Sequence, residues 1–141
     1  MAKFHHIGLF VKNIDYGIKK LSELISIKEC GSLIVDDELL VNVLFLIDED
    51  GIRYELVSPN GAGNPVDLVL KSKKNIINHI AYTTLNFNSD IIKFRNSGCI
   101  YLGPPKKAKA FNGSNIIFFL TPLGFIYELI EINSDCYITT L

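Results

Sequence analysis

Apolar residues along the first half of the chain occur in short runs typical of strands and, in one segment, at helical spacing. The order of these segments predicts a β-α-β-β-β unit. Residues 4–11 are apolar and β-rich, which predicts a strand. From Ile14 to Ile25 the apolar residues recur at helical spacing, and Asn13 or Asp15 can cap this helix. The acidic sequence Asp48–Gly51 is typical of a hairpin turn. Three further apolar runs predict the remaining strands: residues 27–35, 39–47 and 52–57.

The second half repeats this order of elements. A strand is predicted at residues 76–83, followed by a helix that ends near Ser97, before Gly98. Three polar residues can cap that helix: Asn86, Asn88 and Ser89. The remaining predicted elements are strands at 99–102, 115–120 and 124–131, with a lysine-rich loop from 102 to 111. We therefore expect one domain of two modules (residues 4–57 and 75–131), a connecting segment (58–74) with a helical turn at Val66–Leu70, and a tail (132–141).

Two short motifs recur at one fixed spacing. His6-Ile7 returns as His79-Ile80, and Tyr54-Glu55-Leu56 returns as Tyr127-Glu128-Leu129; 79 minus 6 and 128 minus 55 both give 73. Repeated units of this kind usually share an interior. Residues related by such a repeat converge if the units pack about a pseudo-twofold axis. The sequence therefore predicts a metal site with four ligands: His6, Glu55, His79 and Glu128.

Strand alternation indicates the surroundings of these ligands. Both faces of the strand around Glu128 are apolar, so its carboxylate is expected to be buried and to need a positive neighbour. Arg53 shares a strand face with Glu55, where it can bind a substrate carboxylate or neutralise Glu55. His5 does not keep the spacing to His79 and is interpreted as structural.

Composition excludes several classes of partner. The net charge of −1 offers no electrostatic case for binding nucleic acid or an anionic membrane surface. No apolar run approaches the roughly 18 residues that a membrane span needs, and a secretory signal is not expected. The three cysteines, Cys30, Cys99 and Cys136, are widely spaced and odd in number, so we expect buried, reduced thiols. These features favour a cytoplasmic protein.

These motifs resemble the vicinal-oxygen-chelate (glyoxalase/bleomycin-resistance) superfamily, and most closely its methylmalonyl-CoA epimerases. The resemblance covers residues 4–131 and is carried by His6–Val11, Tyr54–Pro59, Asn78–Ala81 and Tyr127–Glu131. It implies an α+β, glyoxalase-like fold, in which two β-α-β-β-β modules pair into a curved, eight-stranded cup around a divalent metal. It also makes a homodimer an expectation.

Two imidazoles and two carboxylates suit a divalent ion such as Zn, Co, Ni, Mn or Fe(II). Such an ion polarises a substrate carbonyl, and Glu55 and Glu128 are the candidates for removing and returning the α-proton. The resemblance therefore implies a metal-dependent isomerase or epimerase acting on a small molecule such as an acyl-CoA thioester. Six loop lysines either belong to the solvated surface, as charge runs in loops usually do, or contact the phosphates of such a substrate: Lys71, Lys73, Lys74, Lys106, Lys107 and Lys109.

Departures from the epimerase pattern keep other functions open. Asn112 and Ser114 stand where epimerases often have histidine and lysine, and Asn42 lies near the position of an acidic residue proposed as a base in some of them. One alternative is a glyoxalase-like lyase acting on a thiol adduct. Another is a small-molecule-binding or resistance protein without metal, against which the retention of all four ligands argues.

Overall fold

The computed structural model describes residues 2–61, 70–71 and 77–133. The elements of the first half are β1 (Lys3–Phe10), α1 (Ile14–Leu24), β2 (Ile27–Cys30), β3 (Ile34–Asp36), β4 (Val41–Asp48) and β5 (Arg53–Pro59). Those of the second are β6 (Ile77–Thr84), α2 (Phe87–Asn96), β7 (Ile100–Tyr101), β8 (Lys106–Ala108), a short 3-10 helix (Lys109–Phe111), β9 (Ser114–Leu120) and β10 (Ile126–Glu131). Of the predicted helical turn at Val66–Leu70 only Leu70 is described, and the predicted tail beyond Asn133 lies outside the described residues.

The strands form one mixed, ten-stranded sheet in the order β2-β4-β5-β1-β6-β10-β9-β7, with β3 on β4 and β8 on β9. Strand β1 runs parallel to β5, and β6 runs parallel to β10. The neighbouring pairs β4–β5 and β9–β10 are antiparallel. The predicted α+β fold with a repeated order of elements is therefore confirmed, but each half has one strand more than the predicted β-α-β-β-β order. Among the described residues, one compact unit contains 6–61, 70–71 and 77–78, and the other contains 2–5 and 79–133.

The sheet has ten strands rather than the predicted eight, and an interruption in residues 27–35 accounts for one of the two additional strands. Both β2 and β3 pair with β4, but Cys30 lies opposite Leu46 while Ile34 lies opposite Val43. The chain advances four residues from Cys30 to Ile34 but only three from Leu46 to Val43 on β4. The segment from β2 to β3 therefore contains one residue more than the part of β4 that it faces. An extra residue of this kind breaks the ladder as a β-bulge does, and the predicted single strand is divided.

The other additional strand corrects the prediction of a continuous loop between residues 102 and 111. Lys106 pairs with Ile116 on β9, so the chain returns to the sheet as β8 after leaving it at β7. Pro104 and Pro105 lie between the two strands. Proline has no N–H group to donate to a ladder, which explains why pairing stops there and resumes afterwards.

In the first unit the core lies between α1 and the sheet. The fully or nearly buried residues Leu44, Leu46 and Leu56 contact the apolar side of α1, which Ile14 and Ile18 help to form. Asn13 begins the helix as predicted: its side-chain oxygen accepts a hydrogen bond of 2.7 Å from the Tyr16 N–H.

The second unit is built in the same way around α2. Phe87 and Ile91 of the helix pack on Ile117, Phe119 and Leu129 of the sheet. The helix ends at Asn96, close to the predicted Ser97. In the part of the chain that the structure describes, no helix is long and apolar enough to cross a membrane.

The hairpin turns of both units also follow the repeat. Gly51 and Gly124, which are 73 residues apart (124 minus 51), have φ angles of 81° and 83°. Their N–H groups donate to the carbonyls of Asp48 and Thr121 at 3.0 and 2.9 Å. Because L-residues rarely adopt this left-handed backbone, glycine is strongly favoured at both turns.

The expectation of buried cysteines is wrong for Cys30, which is exposed on β2. This short strand pairs with β4 on one side and ends the sheet. Cys99 is partly buried, and Cys136 lies outside the described residues.

Candidate metal centre

The strand faces opposite the helices carry the candidate ligands. In the first unit Leu56 packs towards α1, and because successive side chains alternate, its neighbour Glu55 lies on the other face of β5. Glu55 is 5% exposed and His6 is fully buried. The Nε2 atom of His6 lies 3.6 Å from Oε1 of Glu55.

The second unit has the same arrangement. Leu129 packs towards α2, which places Glu128 on the opposite face of β10. Glu128 and His79 are 1% and 2% exposed. Here the Nε2 atom of His79 lies 2.9 Å from Oε2 of Glu128, a shorter imidazole–carboxylate contact than in the first unit.

Strand register explains why both pairs form. On the parallel strands β1 and β5, Glu55 lies opposite Gly8, two residues beyond His6. On β6 and β10, Glu128 lies opposite Ala81, two residues beyond His79. Each glutamate thus meets its histidine through the same offset between two parallel strands.

The four predicted ligands form a group that could hold a metal ion. One ligand atom from each lies within 4.8 Å of those from the others, and all four residues are buried. For comparison, two ligand atoms held by one ion at about 2.2 Å lie at most about 4.4 Å apart. The donor set, two imidazoles and two carboxylates, fits a divalent transition metal.

Sequence reasoning missed two aromatic neighbours of these ligands, Phe45 and Phe118. Phe45 lies directly opposite Glu55 on β4, and Phe118 lies opposite Glu128 on β9. Their rings approach His6 and His79 edge to face, with centroids 5.5 and 5.4 Å apart. The sequence does contain a signal for this pair, because phenylalanine recurs at the spacing of the ligands: 118 minus 45 again gives 73.

Arg53, the predicted substrate-binding residue, lies two residues before Glu55 on β5 and is half-buried. Burial lowers the pKa of its guanidinium group from the usual value for arginine. The residue 73 positions later is Ile126, so this cation has no charged counterpart in the repeat. Its role toward a substrate stays a prediction.

Asn42 does not supply an acidic group to the site. It lies two residues before Leu44 on a regularly paired strand, and Leu44 packs towards α1. By alternation Asn42 is on the helix-facing side, away from Glu55. The equivalent Asn115 donates a hydrogen bond of 2.7 Å from its amide to Glu131, a structural contact at the end of β10.

The tyrosines beside the two glutamates lie on the opposite strand face. Burial raises the pKa of Tyr127, and the nearby Tyr82 and Asp90 add to this. Burial also raises the pKa of Tyr54, together with the charge of Asp48, which accepts a hydrogen bond of 3.3 Å from its hydroxyl. Both hydroxyls therefore keep their protons at neutral pH and are not candidates for proton transfer on the ligand face.

His5 is buried with its ring edge to face with Phe111, at a centroid distance of 5.6 Å. It is not a member of the four-residue ligand group found among the described residues.

Comparison with known proteins identifies the family and the fold. The model of the Glyoxalase/Bleomycin resistance protein/Dioxygenase superfamily matches residues 5–118. A hypothetical protein from Bacillus halodurans C-125 superimposes with a TM-score of 0.75 at 18% identity, over 96% of this chain and 98% of that one. Methylmalonyl-CoA epimerase from Mycobacterium tuberculosis gives 0.74 at 17% identity, over 92% and 87%.

A Streptomyces coelicolor methylmalonyl-CoA epimerase variant, solved in complex with 2-nitronate-propionyl-CoA, gives a TM-score of 0.71 at 21% identity, over 95% of this chain and 99% of that one. At these identities the likeness shows a shared fold. No curated protein matches the chain significantly.

Proposed function

Since the chain belongs to the glyoxalase/bleomycin resistance protein/dioxygenase superfamily, we propose that it is a metal-dependent isomerase of the epimerase type. The observation that carries the proposal is the buried group of two histidines and two glutamates. Burial of two carboxylates is costly without a compensating positive charge. A divalent cation supplies that charge, and four residues would hold it: His6, Glu55, His79 and Glu128.

The bound metal would act as a Lewis acid that stabilises negative charge developing on a substrate oxygen. The chain's own contribution is proton transfer at the carbon next to that carbonyl group. Epimerisation requires that a proton leaves one face of this carbon and that another arrives on the opposite face. Glu55 and Glu128, one from each repeat, are the proposed acceptor and donor. A carboxylate has two oxygens, so one can face the metal while the other handles the proton.

Arg53 and the loop lysines support an anionic acyl thioester as the substrate class. A half-buried guanidinium on the same strand face as Glu55 suits a substrate carboxylate, which arginine binds through two parallel hydrogen bonds. A structural relative is described in complex with methylmalonyl-CoA. The exposed Lys106 and Lys107 are available for the phosphates of coenzyme A. The cytoplasmic location and the homodimer also belong to this proposal: the first rests on composition and cysteine spacing, the second on the family resemblance.

Exchange of the substrate α-proton with solvent deuterium tests the proposal. Protein reconstituted with Co²⁺ or Mn²⁺ is incubated with methylmalonyl-CoA in D₂O, and deuterium at the α-carbon is followed by NMR. We expect exchange of both epimers with the wild-type protein. In Glu55→Gln and in Glu128→Gln, exchange of the epimer whose α-proton the replaced carboxylate removes should fall at least about 100-fold, the lower end of what general acid–base groups contribute. Undiminished exchange in both variants would rule out the assigned acid–base roles.

Glu131→Gln is the matched control for these variants. Glu131 is on the same strand as Glu128, but its side chain lies on the opposite face of the strand. Its carboxylate accepts a hydrogen bond from Asn115. Exchange should therefore persist in this variant.

If the wild-type protein does not react with acyl-CoA esters but consumes hemithioacetals of small thiols, the lyase alternative replaces the epimerase.

A further inference from the structure

We propose that Phe45 and Phe118 are positioning residues that hold the imidazole rings of His6 and His79 in the orientation that metal binding needs. The inference rests on the proposed function, because it assigns a role around the proposed metal centre. It concerns residues that carry no ligand atom and cannot take part in proton transfer. Their contribution is the placement of the groups that do.

The repeat is the first argument. Each histidine–glutamate pair has a phenylalanine as the residue directly across the antiparallel ladder from its glutamate. Phe45 and Phe118 lie 118 minus 45, or 73, residues apart, which is also the spacing of the ligands. The repeated element is thus a set of three side chains: a histidine, a glutamate and a phenylalanine.

Ring geometry is the second argument. The interplanar angles between phenylalanine and histidine are 75° in the first unit and 78° in the second, at centroid distances of 5.5 and 5.4 Å. Aromatic rings favour this edge-to-face arrangement, because the positive edge of one ring meets the negative face of the other. Since terminal torsions to planar rings are broad, an unsupported imidazole samples many ring orientations. A phenyl ring against it narrows that range.

The chemistry of the ligands makes ring orientation matter. In both pairs the Nε2 atom of the histidine faces the carboxylate, at 3.6 and 2.9 Å from its oxygen. Rotation of the imidazole about its bond to Cβ would swing this atom away from the carboxylate oxygen. Groups that orient metal ligands change metal affinity about 10- to 100-fold when they are removed. Phe45 and Phe118 would exert this control through packing.

The two phenylalanines differ in burial, which makes Phe118 the better test. Phe45 is 2% exposed, whereas Phe118 is only partly buried. A Phe118→Leu variant therefore leaves a smaller defect in the core than Phe45→Leu. Phe119→Leu is the matched control, because Phe119 is the fully buried neighbour on the helix-facing side and loses an edge contact with Phe94 at 5.5 Å.

The experiment measures Co²⁺ affinity by competition with a chromophoric chelator and the visible absorption spectrum of the Co²⁺-loaded protein. We expect Phe118→Leu to bind Co²⁺ at least about tenfold more weakly, with shifted absorption bands. Phe45→Leu should show the same effects. Phe119→Leu should lower the melting temperature but keep the wild-type affinity and spectrum.

Three results would overturn parts of this scheme and can be told apart. Wild-type protein that binds no Co²⁺ removes the proposed metal centre and the positioning role with it. Wild-type protein that binds Co²⁺, with unchanged affinity and spectrum in Phe118→Leu, removes only the positioning role. Equal weakening in Phe119→Leu would also reject that role, because the loss would then follow general destabilisation.

Discussion

At Gly17 in helix α1, the absence of a side chain sets how closely the helix approaches the sheet. A Cβ atom at this position would lie 3.0 and 3.1 Å from the two methyl groups of Val11 and 3.2 Å from Cδ1 of Leu56. All three distances are shorter than ordinary van der Waals contacts. The methyl groups of valine branch at Cβ and cannot move aside without a change of rotamer.

We expect Gly17→Ala to lower the free energy of unfolding by about 1 kcal/mol. Alanine gains about 1 kcal/mol of helix propensity over glycine, but overpacking a tight core costs about 1–3 kcal/mol. Gly17→Val should cost more than Gly17→Ala, since it adds two methyl groups to the same space. Urea unfolding followed by circular dichroism measures both. Ser22→Ala on the exposed side of α1 is the control and should change stability little. A stabilised Gly17→Ala protein would contradict the close packing.

Single residues also show what could be predicted for the site. His6 and Glu55 were recognisable because each is a polar residue in an apolar strand and recurs 73 residues later in the sequence. Phe45 and Phe118 recur as well, but phenylalanine in an apolar strand is ordinary, so the coincidence is hidden among many repeated hydrophobic residues. Only the pairing of strands shows that these two lie opposite the glutamates.

Whole elements were predictable where their own residues decide them. Helix α1 and the hairpin turn at Gly51 follow from local periodicity and turn chemistry. The split of β2 from β3 does not, because the additional residue is defined only by the partner strand β4. Helix α2 is intermediate. Asn86, one of three predicted capping residues, is at its N-cap, but its side chain makes no capping hydrogen bond.

Thr84 connects the end of β6 to the start of α2. Its hydroxyl accepts a hydrogen bond of 2.9 Å from the Asn86 N–H and donates one of 2.5 Å to the Asp90 carboxylate. We expect Thr84→Val, which keeps the shape and removes both hydrogen bonds of this buried hydroxyl, to lower the free energy of unfolding by about 2 kcal/mol. Urea unfolding provides the measurement.

The neighbouring Thr83 offers the control for this substitution. Its hydroxyl makes one long contact of 3.5 Å to the Lys3 carbonyl, beyond the usual range of hydrogen-bond lengths. Thr83→Val should therefore cost clearly less than Thr84→Val. Equal losses from the two variants would show that the fold does not depend on the Thr84 network.

For the molecule as a whole, the proposed metal makes stability depend on ligand concentration. An ion that binds only the folded chain at about 100 times its Kd adds about 2.7 kcal/mol to the free energy of unfolding. For a domain of this size that corresponds to a rise in melting temperature of roughly 5–10 °C. We expect Co²⁺ or Zn²⁺ to give this rise over protein treated with a chelator, as measured by differential scanning calorimetry.

The metal-dependent rise in melting temperature also tests whether the histidines of both repeats bind one ion. If His6 and His79 bind the same ion, then His6→Ala and His79→Ala should each remove most of the metal-dependent rise, because each takes one of four ligands from a single centre. His5→Gln changes a buried histidine outside the ligand group. It should therefore keep the rise even if its baseline melting temperature falls. A full rise in His6→Ala would mean that the second pair binds metal alone, and the shared centre would have to be abandoned.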